Sequence, residues 1–146
     1  MILLQMAVSL IYQFFIHTQE VGKLGPLEWI MNTPSHHRVH HAVNLRYLDA
    51  NHGGVFIVWD RLFGTFSVER ADDPPVYGIT KNIETYNPMR IAFHEWASLF
   101  HDVRRAPRLR DKFRYLFAPP GYSHDGSTLT TKQLQAKLKL GATPAE

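Results

Sequence analysis

Residues 2–16 read ILLQMAVSLIYQFFI, twelve apolar residues in fifteen. A run like this is either a helix buried in a soluble core or a helix in lipid. A helix over 1–17 is about 25 Å long, a little short of the roughly 30 Å hydrocarbon core of a bilayer. No basic segment precedes the run and no small-residue cleavage site follows it, which argues against a signal peptide. It therefore reads as the inner part of a membrane helix, with a buried helix of a soluble protein as the alternative. Its only polar residues are Gln5, Ser9 and Gln13, and the next in step is His17. Spacing by four puts them on one face. A single polar stripe ending in histidine has to face protein or a cavity.

The second constraint is HHRVHH at 36–41, four of the nine histidines in six residues. It follows Asn32-Thr33-Pro34-Ser35. Thr33 reads as a helix N-cap with Pro34 at the first helical position. On a helix of about two turns His37, His40 and His41 stand at i, i+3 and i+4 and point the same way. Three neutral imidazoles there suit one metal centre or two adjacent ones, of zinc, copper, iron or nickel. Without a metal the arrangement is poor for folding, because histidine is a mediocre helix former and protonated rings repel. His36 faces elsewhere. His17 is the natural extra ligand, His52 a weaker candidate, and His94, His101 and His124 read as solvent or interface histidines.

The rest of the chain reads as helices and loops. Gly22 and Gly25 stop the first helix, and Pro26 opens a short one. Residues 49–66 contain a Gly-Gly turn and VFIVW, a strand or a buried helix. Asn87 and Pro88 start the clearest helix, 87–105, with Met89, Ala92, Phe93, Trp96, Phe100 and Val103 as its apolar stripe. Pro107 ends it. A further helix over roughly 108–117 and a last amphipathic stretch from 130 precede a loose tail.

There is no cysteine, so disulfides, iron–sulfur clusters and cysteine-bound zinc are excluded. Residues 1–79 carry a net −2 and residues 80–146 a net +5, much of it in VRRAPRLRDKFR at 103–114. No aromatic stacking pattern or nucleic-acid fold signature accompanies that run, so a nucleic-acid partner is not expected. Paired Glu-x-x-His motifs, a His-Glu-x-x-His zinc motif, a Gly-rich phosphate loop and a Gly-x-Ser-x-Gly elbow are all absent. A nearly all-histidine metal site at the end of a membrane helix remains.

TPSHHRVHH at 33–41, Asn-x-Gly-Gly at 51–54 and WDRLFGTF at 59–66 together closely resemble the last histidine box and following segment of the fatty acid hydroxylase/sterol desaturase superfamily. Within it the chain looks closest to the alkylglycerol monooxygenase branch and its bacterial sterol-desaturase-like cousins. The likeness covers roughly residues 10–122. It implies an all-α, integral membrane enzyme with a non-haem diiron centre, two iron ions held by histidines. Such an enzyme uses O2 to hydroxylate or desaturate a C–H bond of a membrane lipid or sterol, and in one branch cleaves O-alkylglycerols. Electrons come from tetrahydrobiopterin in that branch, or from another donor. The resemblance carries His37, His40 and His41 over as iron ligands, with His17 beside them. Asn51 and Asp60 occupy motif positions as supporting or structural residues.

The superfamily also implies two earlier histidine boxes, and these 146 residues hold neither. The expectation is therefore a C-terminal fragment whose partner is an N-terminal half carrying the other boxes, inactive or nearly so alone. The expected organisation is the end of a transmembrane helix at 1–17, a cytoplasmic histidine-box and helical cap region at 18–122, and a tail at 123–146. The competing readings are a histidine-bound zinc hydrolase and a non-enzymatic metal-binding membrane fragment.

Overall fold

The computed structural model describes residues 1–79 and 83–141. They are helical, with no strand among them and three isolated bridges, Met31 to Phe56, Ala42 to Tyr77 and Arg70 to Asp73. The all-α expectation holds, and of VFIVW at 55–59 the last two residues begin a helix while Phe56 makes the isolated bridge to Met31. The chain forms two compact units, Met1–Thr80 and Lys81–Glu146.

The first unit begins with α1, Ile2–Ile16. Its 15 residues extend about 22 Å. No helix among the described residues is long and apolar enough to cross a membrane. Most of the α1 surface is exposed and apolar, but its polar stripe is not idle. The Gln13 amide donates to Ser9 Oγ at 3.0 Å, and both lie against Gly54, where an added Cβ would come within 3.1 Å of Gln13 Nε2. The stripe thus faces the Gly-Gly loop from Ser9 onward, while Gln5 stays exposed. Tyr12, one residue off the stripe, donates to the Asn32 carbonyl at 2.6 Å.

A short 3-10 turn, Gly25–Trp29, leads to α2, Pro34–His40, and Gly64 ends α3, Val58–Phe63, in the left-handed conformation. Thr33 occupies the N-cap position of α2, but its hydroxyl does not cap. It donates instead to Glu28 Oε1 at 3.2 Å, which also accepts from Ser35 Oγ at 2.9 Å and Leu24 N at 3.0 Å. A half-buried carboxylate thus gathers the hydroxyls at the start of the histidine helix.

The apolar core is small, with Val39, Ala42, Tyr47 and Ala50 clustered and Ile16 and Ile57 buried nearby. Asn32, Thr33, Ser35, His36, His37, Asn51 and Asp60 are buried in the same unit. Hydrogen bonding, more than apolar burial, specifies this interior, since each such group needs a partner. Gly53 shows how tight it is. A Cβ there would collide with the Phe56 carbonyl and stand 2.8 Å from Asp60 Oδ2. Gly53→Ala is expected to destabilise the unit by about 2 kcal/mol or more in thermal denaturation. Gly22→Ala, with nothing within 4 Å, serves as the neutral control.

In the second unit α4 spans Pro88–Arg105, α5 Leu109–Phe117 and α6 Thr131–Lys139. Asn87 Oδ1 accepts from Met89 N at 2.9 Å and Arg90 N at 3.2 Å, the cap expected from sequence. α6 opens with a Thr130–Gln133 capping box. The end of the loose tail, 142–146, lies outside the described residues.

Candidate metal centre

Three imidazoles meet where α1 ends and α2 passes it. His17 Nε2 lies 2.8 Å from His37 Nε2 and 3.0 Å from His41 Nε2, and His41 Nε2 lies 3.1 Å from His37 Nε2. Each element's contribution follows from sequence. His37 and His41 are one turn apart on α2, and His17 ends the α1 stripe. His17 Nδ1 faces the Gln13 carbonyl at 2.5 Å. A carbonyl only accepts, so Nδ1 carries the proton and a neutral His17 presents a bare lone pair at Nε2.

The contacts among these nitrogens do not close as hydrogen bonds. With His17 Nε2 unprotonated, the other two Nε2 atoms supply at most two protons for three contacts. At least one contact is then unbonded, N–H against N–H if both carry the proton and lone pair against lone pair if either does not. Extra protonation is no remedy. Burial, and then the neighbouring His17, His41 and His40, push the His37 pKa down to about 3. Burial, with His40 and His17, also lowers His41. A cation among the three lone pairs satisfies them together. Three nitrogens bound at about 2.1 Å and near right angles lie about 3 Å apart, the spacing found here. The donor set therefore fits a divalent transition metal.

His40 belongs to the same patch but not to the triangle. Its ring stacks on His37 at 5.6 Å between centroids, and its Nδ1 faces the Ala50 carbonyl at 3.3 Å. Nε2 is thereby left as the acceptor, and it is not among the three clustered nitrogens. His52, exposed, has its ring 6.0 Å from that of His40. His36 is buried edge-on against Phe66, outside the cluster. In the other unit His94 bonds the Ile91 carbonyl and pairs with Glu95, and His124 meets Tyr115 Oη at 2.8 Å.

Asn51 and Asp60 order the loop that follows the histidine helix. Asn51, in the left-handed conformation (φ 54°), donates to the His36 carbonyl at 3.1 Å and the Ser67 carbonyl at 2.8 Å, and accepts from Ser67 N at 2.9 Å. It ties the loop to the histidine helix. Asp60 accepts from His52 N at 2.7 Å, Gly53 N at 2.8 Å and Thr65 Oγ1 at 2.6 Å. Burial alone would raise its carboxyl, but these hydrogen bonds outweigh burial and hold it below the usual carboxylate range.

Sequence reasoning missed two positioning groups. One is Glu28, described above. The other is Arg38, inside the histidine box, which forms a bidentate pair with Glu69 at 2.9 and 2.6 Å. Its third nitrogen donates to the Thr18 and Val21 carbonyls at 3.0 and 2.8 Å. Arg38 thus fastens the chain leaving α1 to α2, which sets His17 against His37. The one available signal was an unpaired cation in an otherwise neutral box.

Residues 1–65, which contain the whole cluster, match the family described as fatty acid hydroxylase. The chain is 46% identical over 114 residues to an alkylglycerol monooxygenase of Homo sapiens, covering 78% of this chain and 25% of the relative. It is 45% identical over 123 residues to the alkylglycerol monooxygenase of Caenorhabditis elegans, covering 78% of this chain and 24% of the relative. An ornithine lipid hydroxylase, OlsE, of Rhizobium tropici is 32% identical over 77 residues, or 53% of this chain and 23% of the relative. The chain spans about a quarter of the length of these curated relatives. No solved structure matches it.

Proposed function

We propose that this chain contributes one side of the non-haem iron centre of a membrane-bound lipid monooxygenase, with O-alkylglycerols as the favoured substrate class. The observation that carries the reading is the triangle of Nε2 atoms at 2.8–3.1 Å, which neutral imidazoles fill with lone pairs aimed at one point. His17, His37 and His41 would hold one ion, and His40 Nε2 would serve the second. Bound iron would supply the O2 chemistry that hydroxylates an unactivated C–H bond, with electrons from tetrahydrobiopterin or another donor. The chain's own residues do the rest. Gln13 fixes the His17 tautomer through its carbonyl, the Ala50 carbonyl fixes that of His40, Arg38 holds the two ligand-bearing segments in register, and Asn51 ties the histidine helix to Ser67.

The membrane reading rests on α1. Its exposed Leu3, Leu4, Leu10 and Phe14 suit lipid, while its polar side turns to protein. The remaining iron ligands belong to the two other histidine boxes, on chain outside these 146 residues. The match takes up only about a quarter of each alkylglycerol monooxygenase relative, which leaves ample length for them. On this reading the histidine cluster and the region after it lie on the cytoplasmic side.

The test is reconstitution. The chain is co-expressed in membranes with the segments carrying the other two boxes, and supplied with an O-alkylglycerol, O2 and tetrahydrobiopterin. Oxygen-dependent release of a fatty aldehyde is expected. A zinc hydrolase would use the same three nitrogens but needs a general base at the metal, and the cluster contains no carboxylate among the described residues. Product formation without O2 would favour it. One equivalent of retained metal with no turnover in the reconstituted protein would point to a metal-binding role alone.

Arg38→Lys provides a finer check. Lysine cannot reproduce the bidentate pair while also holding two carbonyls. Cobalt(II) affinity, followed by its absorption bands, is expected to fall on the order of tenfold with secondary structure unchanged. Affinity equal to wild type would remove Arg38 from the account.

A further inference from the structure

The second unit carries a feature that the metal centre does not use. Met89, Phe93, Trp96 and Phe100 recur along α4 within a narrow sector of the helix, and all are exposed, Trp96 at 70%. α5 repeats the pattern, with Leu109, Phe113, Leu116 and Phe117 on one face and Phe117 at 81% exposure. Large aromatic side chains rarely face water in such contiguous rows, and rows of this kind mark an interaction surface.

The charges say what covers them. By helical position Arg90 and Arg104 border the α4 stripe on one flank. Arg110 and Arg114 border the α5 face on one side and Lys112 on the other. By helical position the acids lie on the sides of α4 and α5 opposite the apolar rows, although Trp96 shares the rim of the cleft that Glu95 and Asp102 line. Glu95 and Asp102 line the cleft between α4 and the Tyr115–Tyr122 segment, and Asp111 accepts from Tyr122 Oη at 3.3 Å. Between Arg104 and Arg114 there are six basic residues and one acid. Apolar rows rimmed by long cationic side chains fit a bilayer interface. The rings enter the acyl boundary while the guanidinium and ammonium groups reach up to phosphates. A protein partner would need a complementary acidic rim around an apolar groove; an anionic leaflet provides both everywhere.

We propose that α4 and α5 form an interfacial anchor that lays the second unit onto an anionic lipid surface. The anchor is separate from α1 and does not depend on the metal centre. Partitioning follows buried apolar area plus electrostatic attraction, and each basic residue near such a surface changes affinity on the order of fivefold.

The test reads Trp96 locally, because α1 by itself can carry the whole chain to any vesicle. In the full chain Trp29 and Trp59, both exposed, are replaced by phenylalanine, leaving Trp96 as the only tryptophan. The protein is mixed with vesicles of phosphatidylcholine alone, or of phosphatidylcholine with phosphatidylserine, each with and without brominated acyl chains. In phosphatidylserine vesicles Trp96 emission is expected to move to the blue, to be quenched by the brominated chains and to be shielded from aqueous acrylamide. Arg110→Glu with Arg114→Glu should cut that quenching at least fivefold, with the circular dichroism spectrum unchanged. Trp96 open to acrylamide and untouched by brominated lipid would overturn the proposal. So would quenching of equal strength in pure phosphatidylcholine that the charge reversals leave unaltered. Shielding from both quenchers would assign the face to a protein and overturn it as well.

Discussion

His37→Ala is expected to abolish metal binding by the cluster while leaving the fold of the metal-free chain nearly as stable as before. The two halves of that expectation have different causes. His37 supplies the buried vertex of the triangle, 5% exposed, and its Nε2 is within 3.1 Å of both other donors. Two histidines remain without it, and affinity for a divalent metal should fall by well over the roughly 10- to 100-fold that follows loss of a supporting partner. In the metal-free chain the ring's removal leaves a small cavity. It also removes a strained group, for His37 Nδ1 is buried without a hydrogen-bond partner, a cost of about 1–3 kcal/mol. The losses and gains are of similar size. Thermal denaturation with and without cobalt(II) separates them. Wild type should be stabilised by about 2.7 kcal/mol at a hundredfold excess of metal over Kd, and the variant by nothing measurable. His40→Ala should keep most of the metal-induced stabilisation, because His40 stands outside the triangle, yet abolish turnover of the reconstituted enzyme. His101→Ala should change neither. A metal-dependent rise in Tm that survives in His37→Ala would place the metal elsewhere.

How far the site could be read from sequence depends on the range of the interaction. Local signals carried well. Helical spacing put His37 and His41 on one face, and the four-residue stripe brought His17 to the same place from another helix. Pro34, Asn87 and Pro88 fixed helix starts within a residue. His40 was placed with the others because i+3 and i+4 lie near each other on a wheel; the Ala50 carbonyl then turns its ring aside, a contact ten residues away that periodicity does not report. Thr33 holds the N-cap position read from sequence, but its hydroxyl receives no α2 backbone N–H and instead donates to the Glu28 carboxylate, a contact outside the capping pattern. The apolar stripe of α4 was legible as a pattern, although a pattern does not say whether core, lipid or solvent lies against it. Arg38 shows the limit: its partners Glu69, Thr18 and Val21 are 17 to 31 positions away, and nothing in six residues of histidine box announces them.

Asp60→Asn is expected to cost the first unit about 3 kcal/mol or more, the largest stability loss from a substitution that changes so little volume. The carboxylate is 2% exposed and accepts three hydrogen bonds, two from consecutive backbone N–H groups of His52 and Gly53 and one from Thr65. An amide keeps one acceptor oxygen and turns an NH2 toward a donor it cannot satisfy. Hydrogen bonds to a charged group contribute about 1.5–3 kcal/mol each, and a donor left buried and unpaired adds its desolvation cost. Gly53 leaves no room for adjustment, since its Cα packs against the same carboxylate. The acid limb of the stability profile gives an independent reading. The folded Asp60 carboxyl lies below its ordinary value, so its contribution is complete above the unfolded value near pH 4 and is lost as pH falls through the lower folded one. Wild type should therefore lose stability steadily below about pH 4, and Asp60→Asn should lose less over that interval because it has no carboxylate there to protonate. Parallel acid limbs in the two proteins would mean that Asp60 is not held ionised by this loop. The loop at 51–54 would then have to be held by its other contacts.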